Sequence, residues 1–261
     1  DRDIDRSGVQ SIQQLLSRQA NVSLTSFTGN EAFSRIDIRG SGDTAGSNTL
    51  VLIDGIKTNI PDLNGADFSI IPLQQIKRIE TIRGGNAVRY GSGASQAVIN
   101  ILTKQSKKGN SATFSTEKAG FGTSNTAISA HGASDQNSLS IHYSNRFGEG
   151  FRDHNTFNAE SWLSTFNRDI LNSLSITLIG RSHKHNYQLP GPLALDSIKN
   201  GTVSRAESDP DRRMSGENDD DSLAIIGRWD DAKSLALSIT THYRERQNHF
   251  WADILPDNRD R

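Results

Sequence analysis

His183 and His185, together with the run Glu217-Asn218-Asp219-Asp220-Asp221, are the residues best suited to hold a metal ion. Two positions apart on an extended strand, both imidazoles share a face and can reach one ion. The acidic run offers the oxygen ligands calcium prefers. It lacks the spaced DxDxDG order with a distal Glu, so a solvated acidic loop competes with a calcium loop. No metal site is assigned. The segment from Gly84-Gly85-Asn86 to Gly91-Ser92-Gly93 invites comparison with a phosphate cradle, yet Gln96 stands where a third glycine is needed and a strand follows in place of a long helix. No catalytic residues are assigned: cysteine is absent, no GxSxG elbow occurs, and Asp and Glu fall in turns and loops instead of facing one pocket. Arg39, Glu80 and Arg83 flank apolar strand positions, so each needs a partner or water wherever it is covered.

Composition narrows the classes. The 261 residues carry a net charge of -1, which gives no basic field for nucleic acid. Only 33% are hydrophobic and mean hydropathy is -0.58, a balance that suits strands burying one face. No stretch approaches the roughly 18 consecutive apolar residues of a spanning helix, so any membrane crossing must use strands. Without cysteine the redox compartment stays open.

The elements that hold these residues change character near residue 108. Before it, Ser7 can cap a short helix whose apolar positions are Val9, Ile12, Leu15 and Leu16, stopping near Arg18. Alternation predicts strands at 21–27 and 35–39, with Ile36 and Ile38 on one side and Arg35, Asp37 and Arg39 on the other. Next come a buried strand at 50–53, an Asp54-Gly55 turn, a helical stub, an extended run at 80–83 and an apolar strand at 98–102. Loops rich in Gly, Asn and Asp at 40–48 and 57–69 either make turns or carry recognition, and Asp43, Asn59, Asp62 and Asn64 are the candidate ligand contacts.

After a basic connector the pattern becomes period two. Leu139, Ile141 and Tyr143 alternate with Ser138, Ser140 and His142; Leu235, Leu237 and Ile239 alternate with Ser234, Ser238 and Thr240. That is what a strand between lipid and a watery lumen requires. Seven strands are predicted, at 111–118, 123–133, 137–147, 156–168, 172–183, 222–230 and 233–248. Seven cannot close a bacterial barrel, which uses an even number from 8 upward. Tyr143, Trp162, Trp229 and Tyr243 are expected toward strand ends, as interface girdles or as ordinary strand aromatics. The longest loop, 184–221, is expected to be exposed and to meet cargo or ions.

The order Arg39-Gly40, LIDG at 52–55, Ile71-Pro72, RIETIRG at 78–84, Tyr90-Gly91-Ser92 and VINILTK at 98–104 resembles the plug domain of TonB-dependent outer-membrane receptors. The resemblance implies an α+β plug domain over 1–108 and, over 109–261, antiparallel transmembrane β-barrel strands of an incomplete barrel, since such receptors are similar to 22-stranded barrels. It implies a longer, exported precursor in the outer membrane of a Gram-negative bacterium. It further implies import of a ferric siderophore, haem or cobalamin, with no cofactor of its own and with energy from TonB and its ExbB and ExbD motor. In the family, the residues matching Arg39, Glu80 and Arg83 form an ion lock between plug and barrel; alone, they read as solvated charges. Two other readings compete. A glycan or peptide importer of the same superfamily usually has Lys-Asp where this chain has Arg83-Gly84-Gly85, and a soluble adhesin-like or carbohydrate-binding β-protein would need no membrane.

Overall fold

Apolar β-branched runs separated by tight turns build the first of two compact units, which divide at 105/106. The computed structural model describes residues 9, 12–18, 22–26, 34–38, 40, 42–59, 66–104, 109–209, 212–231 and 235–254. Helix α1 (Ile12–Ser17) is followed by the hairpin pair β1 (Ser23–Ser26) and β2 (Ser34–Asp37). Ser7, the expected cap, lies outside the described residues. The one-turn helix α2 (Ala45–Asn48) leads into β3 (Thr49–Ile53), β4 (Ile56–Lys57), β5 (Ile76–Arg83) and β6 (Ala97–Thr103).

These four strands form one sheet in the order β4-β3-β6-β5. Its central pair, β3 and β6, is parallel, with Thr49 opposite Ala97 and Ile53 opposite Ile101. A central parallel pair is covered on both faces, which explains runs that are apolar at nearly every position. Val51, Ile53, Ile99 and Ile101 pack with Ile12, Leu16, Ile36, Ile38, Phe68 and Ile71, whereas Leu50, Leu52 and Val98 pack with Ala94 on the reverse. The helical stub is two 3-10 turns, Phe68–Ile70 and Leu73–Gln75. Asp54 (φ 52°) and Gly55 (φ 83°) both have positive φ, the requirement of a two-residue type I′ hairpin. The Asp54 carboxylate accepts from the Thr103 amide and hydroxyl, each at 2.9 Å, tying this turn to the end of β6.

The second unit is an antiparallel meander of seven strands: β7 (Gly109–Lys118), β8 (Ser124–Ala133), β9 (Asn137–Gly148), β10 (Phe157–Leu171), β11 (Leu174–Leu189), β12 (Arg212–Asp230) and β13 (Ala236–Ile254). Each pairs only with its neighbours in sequence, leaving β7 and β13 as edges. One face carries Phe114, Ile128, Ile141, Trp162, Leu178, Ile225 and Ile239, all more than a third exposed. The other carries Ser129, His142, Ser161, Thr177, His183, Asp220 and Arg244, as the register requires.

Two expectations are corrected here. The stretch 184–221 is not one loop, because β11 continues to Leu189 and β12 starts at Arg212. The acidic run therefore lies within β12, and period two splits it: Glu217, Asp219 and Asp221 face one way, Asn218 and Asp220 the other. Carboxylates on opposite faces cannot converge on one calcium ion. Cations from neighbouring strands answer them instead, with Lys184 Nζ 2.7 Å from Glu217 and Arg246 3.2 Å from Asp220. Tyr143, Trp162 and Tyr243 sit inside their strands, and only Trp229 lies near an end.

Their placement has its own logic. Along the apolar face, the next outward residue beyond Tyr143 is Asn145, beyond Trp162 is Glu160, beyond Leu223 is Asp221 and beyond Tyr243 is Glu245. Tyr143 and Trp162 are cross-strand partners with ring centroids 4.5 Å apart. The aromatics thus mark the row where an apolar band gives way to polar residues, while the strands run on. On β12 that band, from Trp229 to Leu223, covers about 20 Å of strand at ~3.3 Å per residue.

Candidate functional site

Among the predicted contact residues of the first unit, Asn59 is fully described. Its Oδ1 accepts from the Val51 amide at 2.7 Å, and its Nδ2 donates to the carbonyls of Thr49 at 2.9 Å and Gly46 at 3.3 Å. The amide group bonds backbone on both sides, so Asn59 braces the edge of β3. Asp43 lies in the 3-10 turn Gly42–Thr44; its side chain, and the whole of Asp62 and Asn64, lie outside the described residues.

Of the three flanking charges, Glu80 and Arg83 lie on β5, and Arg39 lies outside the described residues. Glu80 receives Arg78 Nε at 2.8 Å and, through its other oxygen, Asn100 Nδ2 at 3.4 Å. Asn100 Oδ1 in turn accepts from the Gly55 amide at 3.3 Å. One side chain thereby connects β5, β6 and the Asp54-Gly55 turn. The signal was legible in hindsight as one amide in the middle of Val98-Ile99-Asn100-Ile101-Leu102, where a polar group persists only if bonded. The glycine loop closes on itself: Gly84 N donates to Gln96 O at 2.8 Å and Asn86 N to Ala94 O at 2.9 Å, around the single turn α3 (Ala87–Tyr90). Those amides are occupied by the chain and do not cradle a phosphate.

On the second unit, the polar face is a wall of paired hydrogen-bonding groups. Ser129 Oγ lies 2.8 Å from His142 Nδ1, and Ser161 Oγ lies 2.8 Å from His183 Nδ1. Thr177 donates to Asn167 at 2.6 Å, and Asn167 donates to Ser138 at 3.2 Å. Two guanidiniums, Arg244 and Arg246, converge on the Asp220 carboxylate. His183 and His185 share this face as the spacing predicts, with ring centroids 6.0 Å apart. Most of these groups are buried, at 1–6% exposure, with Leu163, Ile179 and Ile226 among them, whereas the opposite, exposed apolar face suits lipid.

Residues 1–98 match the family model described as the TonB-dependent Receptor Plug Domain. Over those residues the chain is similar to a TonB-dependent receptor plug domain. Solved structures extend the likeness past the plug. The ferric citrate transporter FecA in its unliganded form is 19% identical over 92% of this chain and 38% of its own, with a TM-score of 0.74. The ferric yersiniabactin uptake receptor FyuA from Yersinia pestis is 15% identical over 96% of this chain and 40% of its own, with a TM-score of 0.78. The copper transporter OprC is 14% identical over 90% of this chain and 34% of its own, with a TM-score of 0.71. At these identities the likeness is one of fold: a plug domain followed by antiparallel strands of a barrel wall. The chain spans about two-fifths of the length of these structures, and its seven described wall strands do not close a barrel.

Proposed function

We propose that this chain is the plug and the first wall strands of an outer-membrane receptor of a Gram-negative bacterium that imports a ferric siderophore, haem or cobalamin. The observation that carries the reading is a plug domain followed by strands with an exposed apolar face and a hydrogen-bonded polar face. A soluble β-protein would not present a contiguous apolar band of this size to water. The cargoes of FecA and FyuA, both ferric chelates, favour iron; that of OprC, copper, keeps the metal itself a variable.

The work of uptake comes from outside the chain, since the periplasm holds no ATP. TonB, driven by ExbB and ExbD, would supply it mechanically through strand addition to an extended segment. In this reading the plug domain is the gate, and Arg39, Glu80 and Arg83 are its ionic latch. Glu80 can trade partners cheaply: its pair with Arg78 is exposed, at 58% and 40% for the two side chains, and such pairs contribute ~0–1 kcal/mol. Asp43, Asn59, Asp62 and Asn64 are the proposed cargo contacts.

The test is growth of a strain lacking the full-length gene on single iron or cobalamin sources. Loss of one source, reproduced by removing TonB, is the expected result. Undiminished growth on ferric chelates, haem and cobalamin alike would overturn the reading.

A further inference from the structure

The connections at the long-loop end of the wall sheet are fastened to one another. Between β9 and β10 lie residues 149–156; between β11 and β12 the chain makes a long excursion containing the single turn α4 (Leu195–Lys199). Excursions of this length are uncommon and tend to be functional. Arg152, in the shorter connection, spends all three guanidinium nitrogens on carbonyls of the longer one: Nη1 donates to Gly191 at 2.7 Å, Nε to Glu207 at 3.0 Å and Nη2 to Pro190 at 3.4 Å. One backbone bond crosses the same seam, Asp153 N donating to Ala206 O at 2.7 Å, while Asp209 N closes the longer connection on Pro190 O at 2.7 Å and Gln188 N of β11 holds Thr156 O of the shorter one at 2.8 Å. His154 Nε2 lies 3.0 Å from the Met214 carbonyl.

Next to this seam stands an exposed ring pair. Phe121, in the turn between β7 and β8, and Phe151 meet edge to face with centroids 5.5 Å apart, yet are 62% and 54% exposed. Phe121 holds a φ of 57°, a costly conformation for an aromatic residue, which folding retains only where surrounding structure imposes it. The Glu149 amide, donating to Phe121 O at 3.1 Å, is part of that imposition.

We propose that Arg152 is a strap that locks the two connections into one preformed rim presenting the Phe121–Phe151 ring pair to cargo. A planar fork spreads its donors over three nitrogens and so spans separated carbonyls; a lysine ammonium, with three donors on a single nitrogen, cannot reach the same spread. A rim fixed before cargo arrives avoids the ordering cost that mobile side chains and loops impose on binding. The role in binding rests on the proposed receptor function; the strap itself does not.

The experiment uses the full-length receptor, as wild type and as Arg152→Ala, Arg152→Lys and Phe151→Ala, with receptor in the membrane quantified by its heat-shifted gel band. Purified receptor in detergent is digested with trypsin, whose sites Lys199 and Arg205 are exposed on the excursion. Arg152→Ala should be cut there faster, Arg152→Lys at an intermediate rate, and Phe151→Ala at the wild-type rate. Uptake of radio-iron is then measured as citrate, catecholate and hydroxamate chelates. For the chelate taken up, Arg152→Ala and Phe151→Ala should raise the half-saturating concentration by roughly tenfold with the maximal rate per receptor unchanged. Wild-type cleavage of Arg152→Ala overturns the strap. Faster cleavage with unchanged half-saturation overturns its role in binding. If wild type takes up none of the three chelates, the ferric reading of function fails while the digestion still decides the strap.

Discussion

At the scale of single residues, side chains that look available for ligand are often already engaged, and small ones are often obligatory. Asn59→Ala would strip partners from the Val51 amide and the Thr49 and Gly46 carbonyls. Unmet polar groups cost ~1–3 kcal/mol each where buried, so the variant should lower the urea midpoint of the full-length receptor. Gly216 and Gly148 sit opposite Tyr187 and Phe157 in register, and a Cβ at either position would run into the facing ring. Tyr187 is buried and cannot swing clear. Gly216→Ala is therefore expected to cost ~1–3 kcal/mol by overpacking, read as a lower midpoint for loss of the heat-shifted band. Neither effect was legible in the chain, because both partners lie on another strand.

At the scale of elements, periodicity carried most of the information. Two-sided burial of β3 and β6 was visible as unbroken apolar runs, and the alternation at 139–143 and 235–240 gave each wall strand its two faces. What alternation could not give was strand length. The 184–221 stretch reads as a loop because it is polar, but Lys184–Leu189 and Arg212–Asp221 pair across the sheet with Lys184, Arg244 and Arg246 neutralising the acids. Local polarity reports on water, whereas strand extent is set by whether a neighbour supplies hydrogen bonds and counter-charge. The faces themselves are testable on β13. Ile239→Arg, on the apolar face, should cost ~2–4 kcal/mol if that position meets the bilayer interior. Thr240→Arg, one residue on and facing the other way, should cost far less. Folding of the full-length variants into lipid vesicles, scored by the heat-shifted band, distinguishes them; equal yields would refute the assignment of faces.

At the scale of the whole molecule, the proposed gate makes Glu80 informative. Glu80→Ala removes the acceptor of both Arg78 and Asn100 and, in the proposed latch, one partner of an ion pair. An exposed pair contributes only ~0–1 kcal/mol, so in the proposed latch the variant should loosen the plug modestly, and intact cells carrying it should admit small hydrophilic antibiotics faster than wild type. Unchanged permeability with unchanged uptake would remove Glu80 from the latch. By itself the sequence determined the plug, through ordered motifs from Arg39 to Lys104, and the two-faced wall, through period two, because both are written in near neighbours along the chain. Only the tertiary structure decided that the acidic run is divided between faces, that Asn59 and Asn100 are braces, and that Arg152 fastens two distant connections. Each of those depends on which residue stands opposite on another strand or loop, and a linear pattern does not encode its own partners.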